Sequence, residues 1–78
     1  MNRSDLPTSA HGLLAYAARI STRPLAELKG EHNALLGLIL TSQNDAELAA
    51  VMGAIGALKR EYVRREARLA RLYALPAH

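Results

Sequence analysis

The stretch from Asp45 to Leu75, DAELAAVMGAIGALKREYVRREARLARLYAL, decides the fold. Apolar residues recur along it at spacings of three and four, the pattern of a coiled-coil seam, at Leu48, Val51, Ile55, Leu58, Tyr62, Leu69 and Leu72. A single helix over this stretch would be roughly 46 Å long at 1.5 Å per residue. So long a helix cannot be buried inside one small globule, and the pattern predicts that it packs against a partner along its length.

Two further helices are predicted upstream of this stretch. Ser9 is a suitable cap for a short first helix from about Ala10 to Ile20. Pro24 disfavours helical geometry at the residue before it and suits the first turn of a new helix. We therefore expect a break before Pro24 and a second helix that runs to about Thr41, with Thr22 as its cap.

The connection at residues 42–44 has the sequence SQN and predicts a tight turn. Asp45 is the expected cap of the third helix, Glu47 adds favourable charge near its N-terminus, and Pro76 is the expected stop. A tight turn makes the second and third helices antiparallel neighbours. Pairing their seams outward from the turn places His32 near Ile55.

This pairing leaves Leu69, Leu72 and Leu75 uncovered by the second helix. The first helix covers them if the chain only kinks at Pro24 and continues along the same line. The predicted fold is therefore all-α, a kinked antiparallel helical hairpin with a short helix 1, a helix 2 and a long helix 3. A compact three-helix bundle is the alternative. Residues 1–9 are expected to form a flexible N-terminal lead-in, and residues 10–78 a single helical hairpin domain.

The composition limits the size of the core and the location of the protein. Of 78 residues, half are apolar, but Phe, Trp and Cys are absent, so a core of mainly Ala and Leu buries little area per residue. We therefore expect dimerisation into a helical bundle. The absence of Cys fits a reducing cytoplasm, and an excess of Arg over Lys together with many Ala residues suggests a bacterial coding sequence. Charge-free apolar stretches are too short for a membrane span.

Small residues line the sides of helices 2 and 3 that face away from the seam. Glycine inside a helix costs about 1 kcal/mol relative to alanine, so aligned glycines suggest close approach of another backbone. An Ala-rich sequence also scatters small residues by chance, which is the alternative explanation. The predicted dimer interface comprises Ala49, Gly53, Gly56, Ala57, Gly30 and Gly37.

Four arginines follow on the same side of helix 3, within about 80° of one another by helical rotation. This Arg stripe comprises Arg60, Arg64, Arg68 and Arg71. Guanidinium groups bind carboxylates and phosphates, so the stripe is a candidate surface for an acidic protein partner or for nucleic acid. A solvated helix face paired with Glu61 and Glu66 is the third possibility. The modest net charge of +3 and the lack of interleaved aromatic residues disfavour nucleic acid.

Two polar residues fall on the predicted seams. Arg65 occupies a core position of helix 3, where it can mark the end of the apolar seam, reach out to solvent, or pair with a carboxylate such as Asp5. His32 is expected to be a neutral core histidine rather than a metal ligand, because the sequence places no other ligands near it.

No motif for catalysis, phosphate binding or metal binding is present in the sequence. We therefore expect a protein that is not an enzyme and binds no cofactor or metal. The expected function is that of a small cytoplasmic interaction module, a homodimeric chaperone, adaptor or inhibitor that acts on a protein partner through helix back faces and the Arg stripe. The alternative is a small basic nucleic-acid-binding regulator that uses the same stripe.

Overall fold

A computed structural model of the protein describes residues 6–74 and consists there of three helices. Helix α1 spans Ala10–Ile20, α2 spans Leu25–Thr41 and α3 spans Asp45–Ala74. The all-α prediction and the three helix boundaries are therefore confirmed, within one residue wherever the structure describes them. Leu75 and Pro76, the predicted end of the third helix, lie outside the described residues.

Of the three predicted N-terminal helix caps, only that of α1 is confirmed. Ser9 caps α1 as expected, since its Oγ accepts a hydrogen bond of 3.0 Å from the Gly12 amide. Thr22 was the wrong cap for α2, because its hydroxyl instead donates to the Arg19 carbonyl and finishes α1. Pro24, in extended conformation, takes the N-cap position of α2 without a side-chain hydrogen bond.

The predicted cap of α3 is also off by one residue. The Asn44 Oδ1 atom accepts hydrogen bonds from the amides of Ala46 at 2.8 Å and Glu47 at 3.2 Å. Asp45 is therefore the first residue of the helix rather than its cap. Its carboxylate and that of Glu47 still lie in the first turn, where negative charge stabilises the helix dipole.

The core lies between α3 and the two shorter helices, which both pack chiefly on α3. The largest fully buried side chains come from all three helices: Ile20, Leu28, Leu35, Leu58 and Val51. The buried leucines of α2 and the short connection to α3 agree with the antiparallel hairpin that the two seams predict.

The course of α1 differs from the expectation. Both methyl groups of Leu13 lie within ordinary contact distance of a Cβ built at Gly53, and the Ile20 carbonyl accepts a hydrogen bond from Arg65. Contacts therefore advance along α1 and α3 in the same direction, so that α1 folds back beside the hairpin instead of continuing the line of α2. Small side chains of α3 permit this approach, at Ala50, Ala54 and Ala57.

As a result, α1 does not cover the end of α3. Residues 66–74, which we call the α3 extension, are all exposed, and they include Leu69 and Leu72, which are 53% and 58% exposed. At 1.5 Å per residue the extension adds roughly 13 Å of helix to the bundle. This projection accounts for the elongated shape of the described chain, 56 × 24 × 16 Å.

The N-terminal lead-in also takes part in packing. Leu6 is only 7% exposed and belongs to the core, although the sequence places it in a flexible segment. Residues 1–5 lie outside the described part of the chain.

His32 is half-buried, and its ring lies 6.3 Å from the ring of Tyr62, centroid to centroid. Each side chain leans toward the N-terminus of its own helix, so in an antiparallel pair His32 and Tyr62 lean toward each other. His32 therefore lies beside the core rather than within it, and its pairing with Ile55 stays a prediction.

Leu58→Ala tests the packing of this core. Leu58 is fully buried, so its truncation should lower the free energy of unfolding by about 2–5 kcal/mol, as for other large-to-small core changes. Chemical denaturation monitored by circular dichroism measures the change. Leu40→Ala is the matched control at a side chain 87% exposed, and should change stability by less than about 0.5 kcal/mol. Equal effects of the two substitutions would contradict the burial pattern.

Candidate interaction surfaces

A buried carboxylate anchors the site where the three helices meet. Glu61 is 2% exposed, and its Oε2 accepts a hydrogen bond of 2.7 Å from Nε of Arg65, one turn further along α3. The Arg64 guanidinium lies 3.2 Å from the other carboxylate oxygen. That second contact is an ion pair without hydrogen-bond geometry, since Glu61 Oε1 has no hydrogen-bond partner among residues 6–74. Two guanidinium groups therefore compensate one buried negative charge.

Arg65 uses its remaining donors to bind the connection between α1 and α2. Its Nη2 atom donates to the carbonyl oxygens of Ile20 at 3.1 Å and Arg23 at 2.6 Å. These carbonyls belong to the end of α1 and the break that follows, where backbone acceptors lack partners within a helix. Arg65 thus pairs with a carboxylate of its own helix and with backbone carbonyls. Asp5, the partner considered from the sequence, lies outside the described residues.

The four residues of the Arg stripe are all exposed, but they differ in their contacts. Arg64 pairs with Glu61, and a guanidinium nitrogen of Arg60 lies 3.7 Å from a Cβ built at Gly56. Arg68 and Arg71 make no ion pair with any residue in the range 6–74. The solvated-face interpretation therefore holds in part for Arg64, and the two arginines of the α3 extension are open to a partner.

The α3 extension combines these charges with exposed apolar side chains. Leu69 and Leu72 follow Leu58, Tyr62 and Arg65 at spacings of three or four and so continue the core-facing side of α3. Within the bundle this side is covered by α1 and α2, whereas in the extension it is bare. Tyr73 is 86% exposed beside them. An apolar helix face flanked by cations is the common form of a surface that binds another helix.

The position of α1 divides the residues of the predicted dimer interface into a group that it covers and a group that stays exposed. Ala57 is 3% exposed, and Gly53 faces Leu13, so α1 of the same chain covers this part of the small-residue strip. Ala49 is exposed, and a Cβ at Gly30 or Gly37 would meet nothing within 4 Å. Gly56 is half-buried. Dimerisation itself stays a prediction.

A further exposed surface, which the sequence did not lead us to expect, lies on α3. We call it the outer face of α3. It carries the exposed side chains Leu48, Met52 and Val63, at 36%, 56% and 64% exposure. The signal was available, because these residues belong to a second run with three-four spacing. Of these three residues, the coiled-coil pattern includes only Leu48, which it places in the seam toward α2.

Tyr16 is the other buried polar group near the helix junction. It is 4% exposed, and its hydroxyl has no hydrogen-bond partner within residues 6–74. Burial, reinforced by the charge of Glu31, raises the pKa of Tyr16 from 10.0 to about 12, although the Arg19 guanidinium acts in the opposite direction. Arg19 lies 5.1 Å from the Tyr16 ring centroid and pairs with Glu31 at 3.0 Å, which links α1 to α2.

Other kinds of site find no support in the part of the chain that the structure describes. Residues 6–74 contain no group of three or more His, Asp or Glu side chains arranged to hold a metal ion. None of the three described helices has an apolar run sufficient to cross a bilayer. No protein-family model, curated protein or solved structure matches the chain.

Arg65→Ala tests the link between α3 and the end of α1. It leaves the Glu61 carboxylate buried with only Arg64 nearby, and should lower the free energy of unfolding by about 3 kcal/mol, as for other broken buried pairs. Urea denaturation measures the loss. Arg68→Ala removes an exposed arginine of the same helix that has no ion pair within residues 6–74, and should cost less than about 0.5 kcal/mol. Similar small losses for both variants would mean that Arg65 does not hold α1.

Tyr16→Phe tests the buried phenol. Since the pKa of Tyr16 is raised on folding, the unfolded chain ionises first, and the folded state loses stability as the pH rises from about 10 toward about 12. At neutral pH the substitution removes a buried hydroxyl without a partner, and should be neutral or stabilising by about 1 kcal/mol. Urea denaturation of both proteins between pH 7 and pH 11 should show a stability difference in favour of Phe that grows above pH 10. A constant difference would contradict the raised pKa.

Proposed function

We propose that this protein is a small, non-enzymatic interaction module that binds an acidic, amphipathic helical segment of a protein partner along the α3 extension. The observation that carries the proposal is the exposure of all nine residues of the extension, although Leu69 and Leu72 continue the core-facing side of α3. Such an isolated helical end gains little stability from its own residues. A partner helix that covers the two leucines would supply the missing packing.

The charge of the extension specifies the chemistry of this partner. Arg68 and Arg71 make no ion pair within residues 6–74, Arg64 lies one turn before them, and Glu66 is the only acidic residue among positions 66–74. A segment with carboxylates flanking an apolar stripe complements this surface in both respects. The activity is then that of a chaperone, adaptor or inhibitor, which acts by occupying or shielding the partner segment.

A nucleic-acid-binding regulator is the second candidate function. It is favoured by the exposed Arg68 and Arg71, by the nearby Tyr73 that could stack on a base, and by a pI of about 9.8. The exposed Leu69 and Leu72 beside these arginines argue for a protein partner, because nucleic-acid-binding surfaces are more polar and more positively charged than protein-binding ones. On compositional grounds we place either function in the bacterial cytoplasm.

Salt dependence separates the two candidates. Fluorescence anisotropy would compare a labelled synthetic helix, with leucines on one side and glutamates flanking them, with duplex DNA and an RNA hairpin. Binding to nucleic acid through several phosphates should be lost steeply between low and physiological salt. Binding to the peptide should weaken but persist, because the apolar contact is not screened. Absence of peptide binding even at low salt, together with tight and salt-sensitive duplex binding, would favour the regulator instead.

The double substitution Arg68→Glu/Arg71→Glu tests the residues responsible. Both side chains are exposed and make no ion pair within the described residues, so helix content should be unchanged while the peptide Kd rises by about tenfold or more. Arg64 is left intact because its reversal would place a carboxylate beside the buried Glu61.

The control for this experiment is Arg23→Glu/Lys29→Glu, which changes the net charge equally on exposed residues of the break and of α2. It should reduce affinity only by the general electrostatic effect, which salt screens. Equal loss in both variants would mean that total charge, rather than the α3 extension, controls binding.

A further inference from the structure

The outer face of α3 is a second seam that no part of residues 6–74 covers. Its members succeed one another at spacings of three or four and so lie on one side of the helix. They are Asp45, Leu48, Met52, Gly56, Lys59 and Val63. The helix α1 packs on the side marked by Gly53 and Arg65, so this face is left to solvent.

The exposure of its apolar members is large for so small a protein. Met52 and Val63 are 56% and 64% exposed, and Leu48 is 36% exposed. On the adjoining helix, Leu36 and Leu40 are 44% and 87% exposed. Large apolar side chains grouped along one side of a monomer typically mark an interface.

The arrangement of this face is symmetric about Met52. Asp45 and Lys59 each lie seven residues from Met52, on opposite sides and with opposite charge. Leu48 and Gly56 each lie four residues from it, one large and one small. A helix laid antiparallel on this face, with a twofold axis at Met52, would therefore place each Asp45 level with the other copy's Lys59, and each Leu48 level with the other copy's Gly56.

We propose that the outer face of α3 binds a second copy of this chain, antiparallel and related by a twofold axis at Met52. Charge complementarity selects this occupant, since the face carries one acidic and one basic residue at mirror positions, and neither makes an ion pair within residues 6–74. An acidic partner would meet Lys59 but would be repelled by Asp45. The surface is distinct from the α3 extension, so the proposal does not depend on the function proposed above.

Gly56 has a physical reason to be small in this arrangement. Among the described residues, only a guanidinium nitrogen at the far end of the Arg60 side chain lies within 4 Å of a Cβ at Gly56, so residues 6–74 leave room there for a leucine from outside. Two such Leu–Gly contacts and one Met–Met contact would form the centre of the interface.

Sedimentation equilibrium of the full chain tests the association directly. We expect a reversible dimer with a Kd in the micromolar range, which should predominate at roughly 500 µM. Met52→Glu brings one carboxylate from each copy together at the twofold axis, where the two like charges repel each other. It should raise the Kd by about a hundredfold and leave the helix content unchanged. The control Leu14→Glu makes the same kind of change at a side chain 71% exposed on α1, and should leave the Kd unchanged. A wild-type monomer at this concentration would overturn the proposal, as would a Met52→Glu dimer of unchanged affinity.

Charge exchange tests the register. Asp45→Lys alone, or Lys59→Asp alone, places like charges level with each other twice per dimer and should weaken self-association by about tenfold. An equimolar mixture of the two variants contains complementary charges in both places and should associate about as tightly as the wild type. A parallel register, which would place Asp45 level with Asp45 and Lys59 level with Lys59, predicts no loss for either variant alone. A mixture that associates no better than either variant alone would overturn the proposal.

Discussion

The structure depends on the placement of one guanidinium group. Arg65 donates through Nε to the buried carboxylate of Glu61 and through Nη2 to the carbonyl oxygens of Ile20 and Arg23. The carboxylate is stable inside the protein because the guanidinium accompanies it, and the guanidinium is oriented because the carboxylate holds it. With both in place, the end of α1 and the break before α2 are attached to a fixed point on α3.

This attachment explains why the small residues of α3 are used within the chain. With the end of α1 tied near Arg65, the helix runs back along α3, where Leu13 faces Gly53 and the neighbouring Ala54 and Ala57 are buried. Larger residues there would hold α1 away and break the contact with Arg65. The same side chains that make a close dimer interface possible therefore make a close intramolecular helix pair possible. Both arrangements require the same spacing of small residues along α3, so this spacing does not distinguish between them.

Local signals in the sequence predict the helices well and their arrangement less well. The Ser9 cap, the break before Pro24 and the turn at residues 42–44 each act within a few residues, and the helix boundaries follow from them. The course of α1 depends on the hydrogen bonds from Arg65 to the carbonyls of Ile20 and Arg23, which precede it by 45 and 42 positions in the sequence. No local sequence pattern predicts contacts over such separations. Among the candidate site residues, the exposure of Arg68 and Arg71 follows from helical rotation alone. The symmetry of the outer face about Met52 was also present in the sequence, but its exposure required the position of α1.

The helix α3 is continuous, but one part of it is packed in the core and the other part is exposed to solvent. One side of α3 between Ala50 and Glu61 is buried in the core, whereas all residues from Glu66 to Ala74 are exposed. Local opening requires little free energy where few apolar contacts must be broken. Backbone amides in the first part should therefore exchange with solvent deuterium only on cooperative unfolding, and those of residues 66–74 through local opening. Slow and fast exchange would then meet within one helix, near the arginine that closes the core.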